Sequence, residues 1–426
     1  MKLRKTLAAL AVSTAMLGST QTQAAAPATN DVLNHYADIA HATYEDSLIT
    51  AKALNKVIDQ FLASPSEANL KAAREAWVAA RVPYQQSEAY RFGNALVDDW
   101  EGKVNAWPLD EGLIDYVATD YGTESDENPF YTANIIANKT LKIGGIEVDA
   151  STINKQLLGE TLHEIDEVEA NVATGYHAIE FLLWGQDLNG NNPGAGNRPA
   201  TDFDLKNCTG GNCDRRRDYL QAATNLLIDD LTEMTNNWTV NGAARQDLLS
   251  KGPEGGLATI LTGMGSLAYG ELAGERTKLG LMLHDPEEEH DCFSDNTHAS
   301  HYYDAKGIKN VYLGEYTRVD GSTVSGPSLS QLVKASAPVV DQNLRNKLEA
   351  TQTAAQVMMD EAEKGNTFDV LIGEGNTAGN QVVQTFVDAL VAEAEAIEHT
   401  IAVLKLDNIE LEGSDSLDNP AVVLAE

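Results

Sequence analysis

The residues best suited to chemistry lie in Gly175-Tyr176-His177-Ala178-Ile179-Glu180, which runs on into Phe181-Leu182-Leu183-Trp184-Gly185. A glycine opens an amphipathic helix here, and His177 and Glu180, three residues apart, project from one face of it. An imidazole beside a carboxylate can hold a divalent metal or pass a proton. In a glutamate-rich chain the same pair also arises as an ordinary surface or capping contact, so its meaning rests on what other elements bring to it. A second charged feature continues an apolar stripe. Leu70, Ala73, Trp77, Ala80 and Tyr84 face inward on one helix, and the next positions on that line are Glu88 and Arg91. Buried charge is costly unless paired or coordinated. Either this helix end abuts a polar site, or Pro83 kinks the helix and turns both residues into solvent.

The elements that must position these groups are helical. Leu33, Tyr36, Ala40, Tyr44, Ala51, Leu54, Ile58 and Phe61 recur at helical spacing over 31–63. Ser64-Pro65-Ser66-Glu67 stops that helix and starts the next, with Ser64 as cap and Glu67 completing a capping box. Residues 94–151 read as mostly irregular but anchored by Trp100, Trp107 and Tyr116, with a small hairpin over 140–148 around Gly144-Gly145. Helices are predicted over 154–172, 174–184, 213–238, 257–283, 328–364 and 377–406. A Gly/Asn/Pro loop covers 185–199, and a second irregular segment covers 287–327. The glycines at 263, 265, 270, 274 and 280 predict close helix–helix approach.

The two halves echo each other in plan: two helices, a long irregular segment, two more helices. His177-Ala178-Ile179-Glu180-Phe181 aligns with Glu395-Ala396-Ile397-Glu398-His399, and the end of the second helix compares with Glu288–Phe293. The reading is an all-α protein of two related helical bundles from an internal duplication, over 25–200 and 201–410, with a signal peptide at 1–24 and an acidic tail at 411–426.

The formal net charge is −34. Such a surface repels nucleic acid and anionic lipid and attracts cations, and it also serves solubility. Met1-Lys2-Leu3-Arg4-Lys5, a short apolar run and Gln23-Ala24-Ala25-Ala26 read as a secretory signal. No transmembrane segment is expected, and the predicted location is the periplasm. Cys208 and Cys213 bracket a small glycine-bearing loop that an oxidising compartment would close as a disulfide, leaving Cys292 as a buried thiol.

Several stretches resemble the imelysin family, of the imelysin-like and iron-regulated protein A type. They are Ala76-Trp77 through Ser87-Glu88-Ala89-Tyr90-Arg91-Phe92, Trp107-Pro108-Leu109-Asp110-Glu111-Gly112 and Gly175-x-His177-x-x-Glu180. In the second half they are Cys213-Asp214-Arg215-Arg216-Arg217 and Glu289-His290-Asp291-Cys292-Phe293-Ser294-Asp295-Asn296-Thr297-His298. They span nearly the whole mature chain in the expected order.

The resemblance implies an exported protein of two related helical bundles, tied to bacterial iron acquisition. The family also carries a peptidase label. By carry-over from a related ferrous-uptake domain it implies Glu88, Asp110 and Asp115 as metal ligands beside His177 and Glu180, with Arg91 orienting a carboxylate or an anionic ligand. The implied cargo is a divalent or trivalent ion, iron foremost and zinc the alternative. The implied partners are that ion or an iron complex and other envelope iron-uptake proteins. His290, Asp295 and His298 form a candidate second metal or structural cluster; alternatively His298 and His301 line a loop. Against a metallopeptidase stands Phe181: an HExxH-type enzyme needs a second helical histidine, and neither His177 nor His163-Glu164 starts that pattern. A scaffold acting through the acidic surface is the third reading.

Overall fold

The computed structural model of the chain describes residues 26–125, 128–406 and 409–424; the expected export signal lies outside the described residues. Helix α1 (Thr29–Ala63) buries the periodic stripe read from its sequence, and α2 (Glu67–Gln85) returns along it. The cap between them differs from expectation. Ser66, not Ser64, is the N-cap of α2, its hydroxyl accepting the Asn69 N–H at 3.3 Å. Glu67 leaves the cap to accept the Ala200 amide at 2.8 Å. Pro83 sits inside α2 without turning the chain outward, and a 3-10 turn, Glu88–Tyr90, carries Glu88 into the interior.

Helix α3 (Ala95–Asn105) follows, then the hairpin β1 (Thr140–Ile143) and β2 (Ile146–Asp149), with Leu141 opposite Val148 and both buried. The continuous helix expected over 154–172 does not form. A π-helical turn, Leu157–Leu162, and a 3-10 turn, Ile165–Glu167, replace it, and Glu164, Asp166 and Glu167 adopt positive φ. Between 163 and 169 only Ile165 and Val168 are apolar, too little for a helical stripe, and four clustered acids repel one another.

Helix α4 (Gly175–Trp184) is buried at every position. Helix α5 (Cys213–Asn237) packs along α1 and against α4, closing the first bundle. Its apolar face includes Tyr219, Leu220, Ala223 and Leu227, and α3 also packs on this helix.

The second half begins with α6 (Ala243–Ser250) and α7 (Gly252–Ser266), which passes into a π-helical stretch, Leu267–Lys278, and then α8 (Leu279–Leu283). Helix α9 (Thr297–Leu313) occupies much of the segment expected to be irregular and packs on α2. After the short hairpin β3 (Glu315–Thr317) and β4 (Thr323–Ser325) come α10 (Leu329–Ser336) and α11 (Pro338–Ala362). The single helix expected over 328–364 divides there because Ala337, preceding a proline, is pushed out of the helical region. Helices α12 (Phe368–Ile372) and α13 (Thr377–Leu404) complete the second bundle, in which α11 packs on α9 and α13.

The glycine-rich stretch serves a different neighbour from the one expected. A Cβ at Gly270 would stand 2.7 Å from the Glu412 carbonyl, and one at Gly274 would stand 2.2 Å from the Ser414 Cβ. These glycines admit the C-terminal segment rather than another helix. Glu395 and Glu398, the counterparts of His177 and Glu180, are exposed, so the second half builds no matching buried pair. Among the described residues no helix is long and apolar enough to cross a membrane.

Candidate metal centre

Helix α4 is held against the end of α3 from its first residue. Gly175 has φ +79°, and a Cβ there would lie 2.4 Å from the Val104 carbonyl, so only glycine lets the chain enter at this point. Thr174 reinforces the contact by donating to the Lys103 carbonyl at 2.8 Å. This placement carries His177 and Glu180 into the interior, 2% and 0% exposed. His177 Nδ1 lies 3.1 Å from Glu180 Oε2, while Glu180 Oε1 accepts the Ser294 amide at 2.9 Å and its hydroxyl at 2.6 Å.

The segment before α9 supplies the rest. The His290 ring meets His177 edge to face with centroids 4.8 Å apart. Asp291 Oδ1 lies 4.0 Å from His177 Nδ1 and 3.7 Å from His290 Nδ1. His177, His290 and Asp291, all buried, each offer a ligand atom within 4.8 Å of the others. Trp107 braces this segment, donating its indole N–H to the Glu289 carbonyl at 3.0 Å. Arg81 of α2 closes the site from the other side. Its guanidinium donates to Asp291 Oδ1 at 2.6 Å and to Asn105 Oδ1 at 2.5 Å, and lies over the Trp77, Tyr84 and Tyr176 rings.

Burial governs the protonation states. It pulls the His177 imidazole down to about 3 and, with Arg276 and His177 adding to it, holds His290 well below the usual range. Both rings are neutral near neutral pH, the form that ligates metal. Burial would raise Asp291, but Arg81 and His177 outweigh it and hold the carboxyl at about 2. Burial and the Asp291 charge push the Glu180 carboxyl well upward, against the Ser294 hydrogen bonds and Arg81, which act to lower it. The Nε2 atoms of His177 and His290 are both buried without a hydrogen-bond partner. Two buried imidazoles with the Asp291 carboxylate form a donor set of borderline hardness. The countervailing feature is Arg81: a cation here shares Asp291 with a guanidinium, and the repulsion between them weakens its hold.

The route in is acidic. A cavity of about 520 Å³ reaches His290 and Trp107 between walls that include Asp98, Glu101, Glu164, Glu271 and Glu275. Arg91 stands in this wall, pairing with Asp98 at 2.7 Å and Glu271 at 3.4 Å. It orients carboxylates along the cavity rather than at His177.

The other ligands implied by resemblance sit apart from the histidines. Glu88 is buried against Arg276 at 2.8 Å, a guanidinium it shares with Glu271 and Asp304. Asp115 accepts Arg198 and Arg216, each at 2.6 Å, so its lone pairs are taken up by buried ion pairs. Asp110 is half-buried and accepts the Asn128 amide at 2.5 Å. The cluster of His290, Asp295 and His298 divides: His290 joins His177, Asp295 groups with Asp187 and Asp369, and His298 is half-buried with Nδ1 unpartnered. Cys208 and Cys213 are joined as a disulfide, and Cys292 is a free, half-buried thiol.

Sequence reasoning missed Arg81 and Asp291. Arg81 follows Trp77 by four and precedes Gln85 by four, so the buried stripe ran through it as well as through Ala80 and Tyr84. Asp291 stood in the quoted motif beside His290, but nothing local marks which acid of Glu289-His290-Asp291 turns inward to the histidines.

Comparison with known proteins agrees with this architecture. The imelysin family model matches residues 40–397. Iron-regulated protein A of Synechococcus elongatus is 23% identical over 405 residues, covering 92% of this chain and 91% of that protein. Two crystal structures share the fold. A proposed iron-regulated protein A precursor from Parabacteroides distasonis superposes with a TM-score of 0.63 at 19% identity, over 89% of this chain and 96% of the other. An imelysin-like protein from Psychrobacter arcticum superposes with a TM-score of 0.58 at 17% identity, over 89% and 97%.

Proposed function

The chain belongs to the imelysin family, and from that premise we propose that it is an exported metal-binding protein acting in bacterial iron uptake. The observation that carries the reading is the buried group of His177, His290 and Asp291, which offer ligand atoms within 4.8 Å of one another while both imidazole Nε2 atoms lack a hydrogen-bond partner. Neutral imidazoles with nothing else to bind are costly to bury, and a cation of the iron, manganese or zinc class satisfies both. A cation held here would favour the ionised form of Glu180 and would share the Asp291 charge with Arg81. The cavity that reaches His290 is lined by more acids than arginines and so favours cations. The name of the Synechococcus elongatus relative supports iron as the cargo. The export signal supports a periplasmic location, where envelope iron-uptake proteins are the natural partners.

One observation favours a second reading, a metallopeptidase. His290 supplies from another segment the second histidine that Phe181 denies to α4, and Glu180 is placed as a base. The burial of His177 and Glu180 counts against it, since an ion can reach them and a peptide bond cannot. Metal analysis of the mature protein after loading with ferrous, ferric, manganous and zinc ions tests the first reading, repeated on His177→Ala and His290→Ala. Unchanged metal content in both variants overturns it. Chelator-sensitive peptide cleavage lost in the same variants establishes the second.

A further inference from the structure

A second group of acids lies outside the histidine centre, where three parts of the chain converge. Asp187 comes from the loop after α4, Asp295 from the segment that carries His290 and Asp291, and Asp369 from the first turn of α12. Each offers a carboxylate oxygen within 4.8 Å of the other two. Asp369 is 1% exposed and Asp295 7% exposed.

What separates this group from an ordinary acidic cluster is the state of its buried oxygens. Neither carboxylate oxygen of Asp369 has a hydrogen-bond partner, nor does Asp295 Oδ1. The Thr367 hydroxyl and the Val370 amide lie near enough to ease the charge on Asp369 without reaching hydrogen-bond geometry. Behind them Glu289, 1% exposed, also has both oxygens unpartnered, and the charges that act on it are Asp369 and Asp295. No lysine, arginine or histidine forms an ion pair with any of these four acids among the described residues.

Glu393 is a lone buried acid with both oxygens unpartnered, but other buried acids carry an arginine. Asp291 has Arg81, Asp115 has Arg198 and Arg216, and Glu88 has Arg276. Buried carboxylates without a counter-charge either take up protons or hold a cation. In the absence of a cation, burial and the neighbouring charges of Asp369 and Asp187 raise Asp295 to about 8.

We propose that Asp187, Asp295 and Asp369 form a second cation site, distinct from the histidine centre, that takes a hard divalent ion, calcium foremost. The donors are all oxygen, which excludes thiophilic metals and suits a hard ion. Three carboxylates from three separate parts of the chain, one of them only half-buried, match the tolerant coordination of calcium better than the strict octahedron of magnesium. Glu289 is in reserve behind them as a further acceptor or as the group that keeps the proton. The ion's role is to pin the loop after α4 and the start of α12 to the segment bearing His290 and Asp291. It thereby ties the first bundle to the second close to the iron-class site.

The test uses the full mature chain stripped with a chelator. Calcium, magnesium, manganese and zinc are titrated separately, with binding followed by calorimetry and thermal unfolding, on wild type, Asp369→Asn, Asp295→Asn and His177→Ala. The expected result is saturable calcium binding at one site in wild type and in His177→Ala, with Tm rising by a few degrees as the ion is added. Affinity falls at least roughly tenfold in both aspartate variants. Should these fail to fold, Asp187→Asn on the half-exposed loop serves with the same readout. Absence of saturable calcium binding in wild type, or binding unchanged in the aspartate variants, overturns the proposal. So does calcium binding lost in His177→Ala but kept in Asp369→Asn, which moves the ion to the histidine centre.

Discussion

The imidazoles of His177 and His290 meet edge to face inside the protein, 4.8 Å between centroids and 72° between planes, although one stands on α4 and the other on the segment before α9. Each presents a buried Nε2 with no partner. If the two rings are ligands of one ion, their removal has matching effects. His177→Ala and His290→Ala are each expected to weaken iron-class metal binding by roughly 10–100-fold or more, measured by competition against a chelator of known affinity. A loss confined to one variant separates the rings into different roles.

Arg81 is the residue whose replacement divides stability from binding. It neutralises Asp291 at 1% and 0% side-chain exposure. Removing one partner of such a pair costs about 3–5 kcal/mol, whereas replacing both is far milder. Arg81→Met is therefore expected to lower the unfolding free energy by about that amount, and Arg81→Met with Asp291→Asn to recover most of it. In the single variant, cation affinity rises because the competing guanidinium is gone. Urea unfolding and metal titration on the same preparations check both halves.

Asp115 distinguishes a structural acid from a ligand. It holds two buried guanidiniums, those of Arg198 and Arg216, which also lie over the Tyr116 ring. Asp115→Asn is expected to destabilise the fold by about 3–5 kcal/mol and to leave metal stoichiometry unchanged. Loss of metal at full stability makes Asp115 a ligand after all.

Acid sensitivity of the metal-free protein is expected from its buried histidines. Burial, with the Arg276 charge, lowers His301 to about 3, against an ordinary value of about 6.5. Between those values the unfolded chain binds a proton that the folded one refuses. His301 therefore contributes its full share above pH ~6.5, and stability falls as pH drops toward ~3, by up to about 1.4 kcal/mol per pH unit for this group. His301 packs against Phe368 and Phe386, so His301→Phe removes the proton without inserting a polar group. Its stability profile is expected to be flatter than wild type below pH ~6.5 by one proton. Parallel profiles refute the assignment.

Much of the scaffold was legible along the chain. Helical periodicity in α1 and the stripe of α2, the hairpin around Gly144-Gly145, the loop-closing cysteines and the HxxE pair all rest on contacts between near neighbours. Where the reading went astray, a local rule met a non-local demand. The glycines of the π-helical stretch do permit close approach, but to Glu412 and Ser414 of the C-terminal segment. Helix α5 has an apolar face that the sequence states plainly, yet that it packs along α1 and against α4 depends on the course of the connection before it.

The sequence by itself determined that the protein is helical and that a histidine and a carboxylate share one face of α4, and it left open whether the charges at the end of α2 face the interior or solvent. It did not determine which charge meets which. Glu88, Asp115 and Asp291 are all buried acids beside family motifs, and their side chains are chemically alike. Only the packing of α2, α4 and the segment before α9 gives Glu88 to Arg276 and Asp115 to Arg198 and Arg216, and sets His290 and Asp291 against His177. The reason is range. Helix formation is governed by neighbours three and four positions away, whereas the neutralisation of a buried charge is settled within a few ångströms of space by residues that can stand anywhere in the chain.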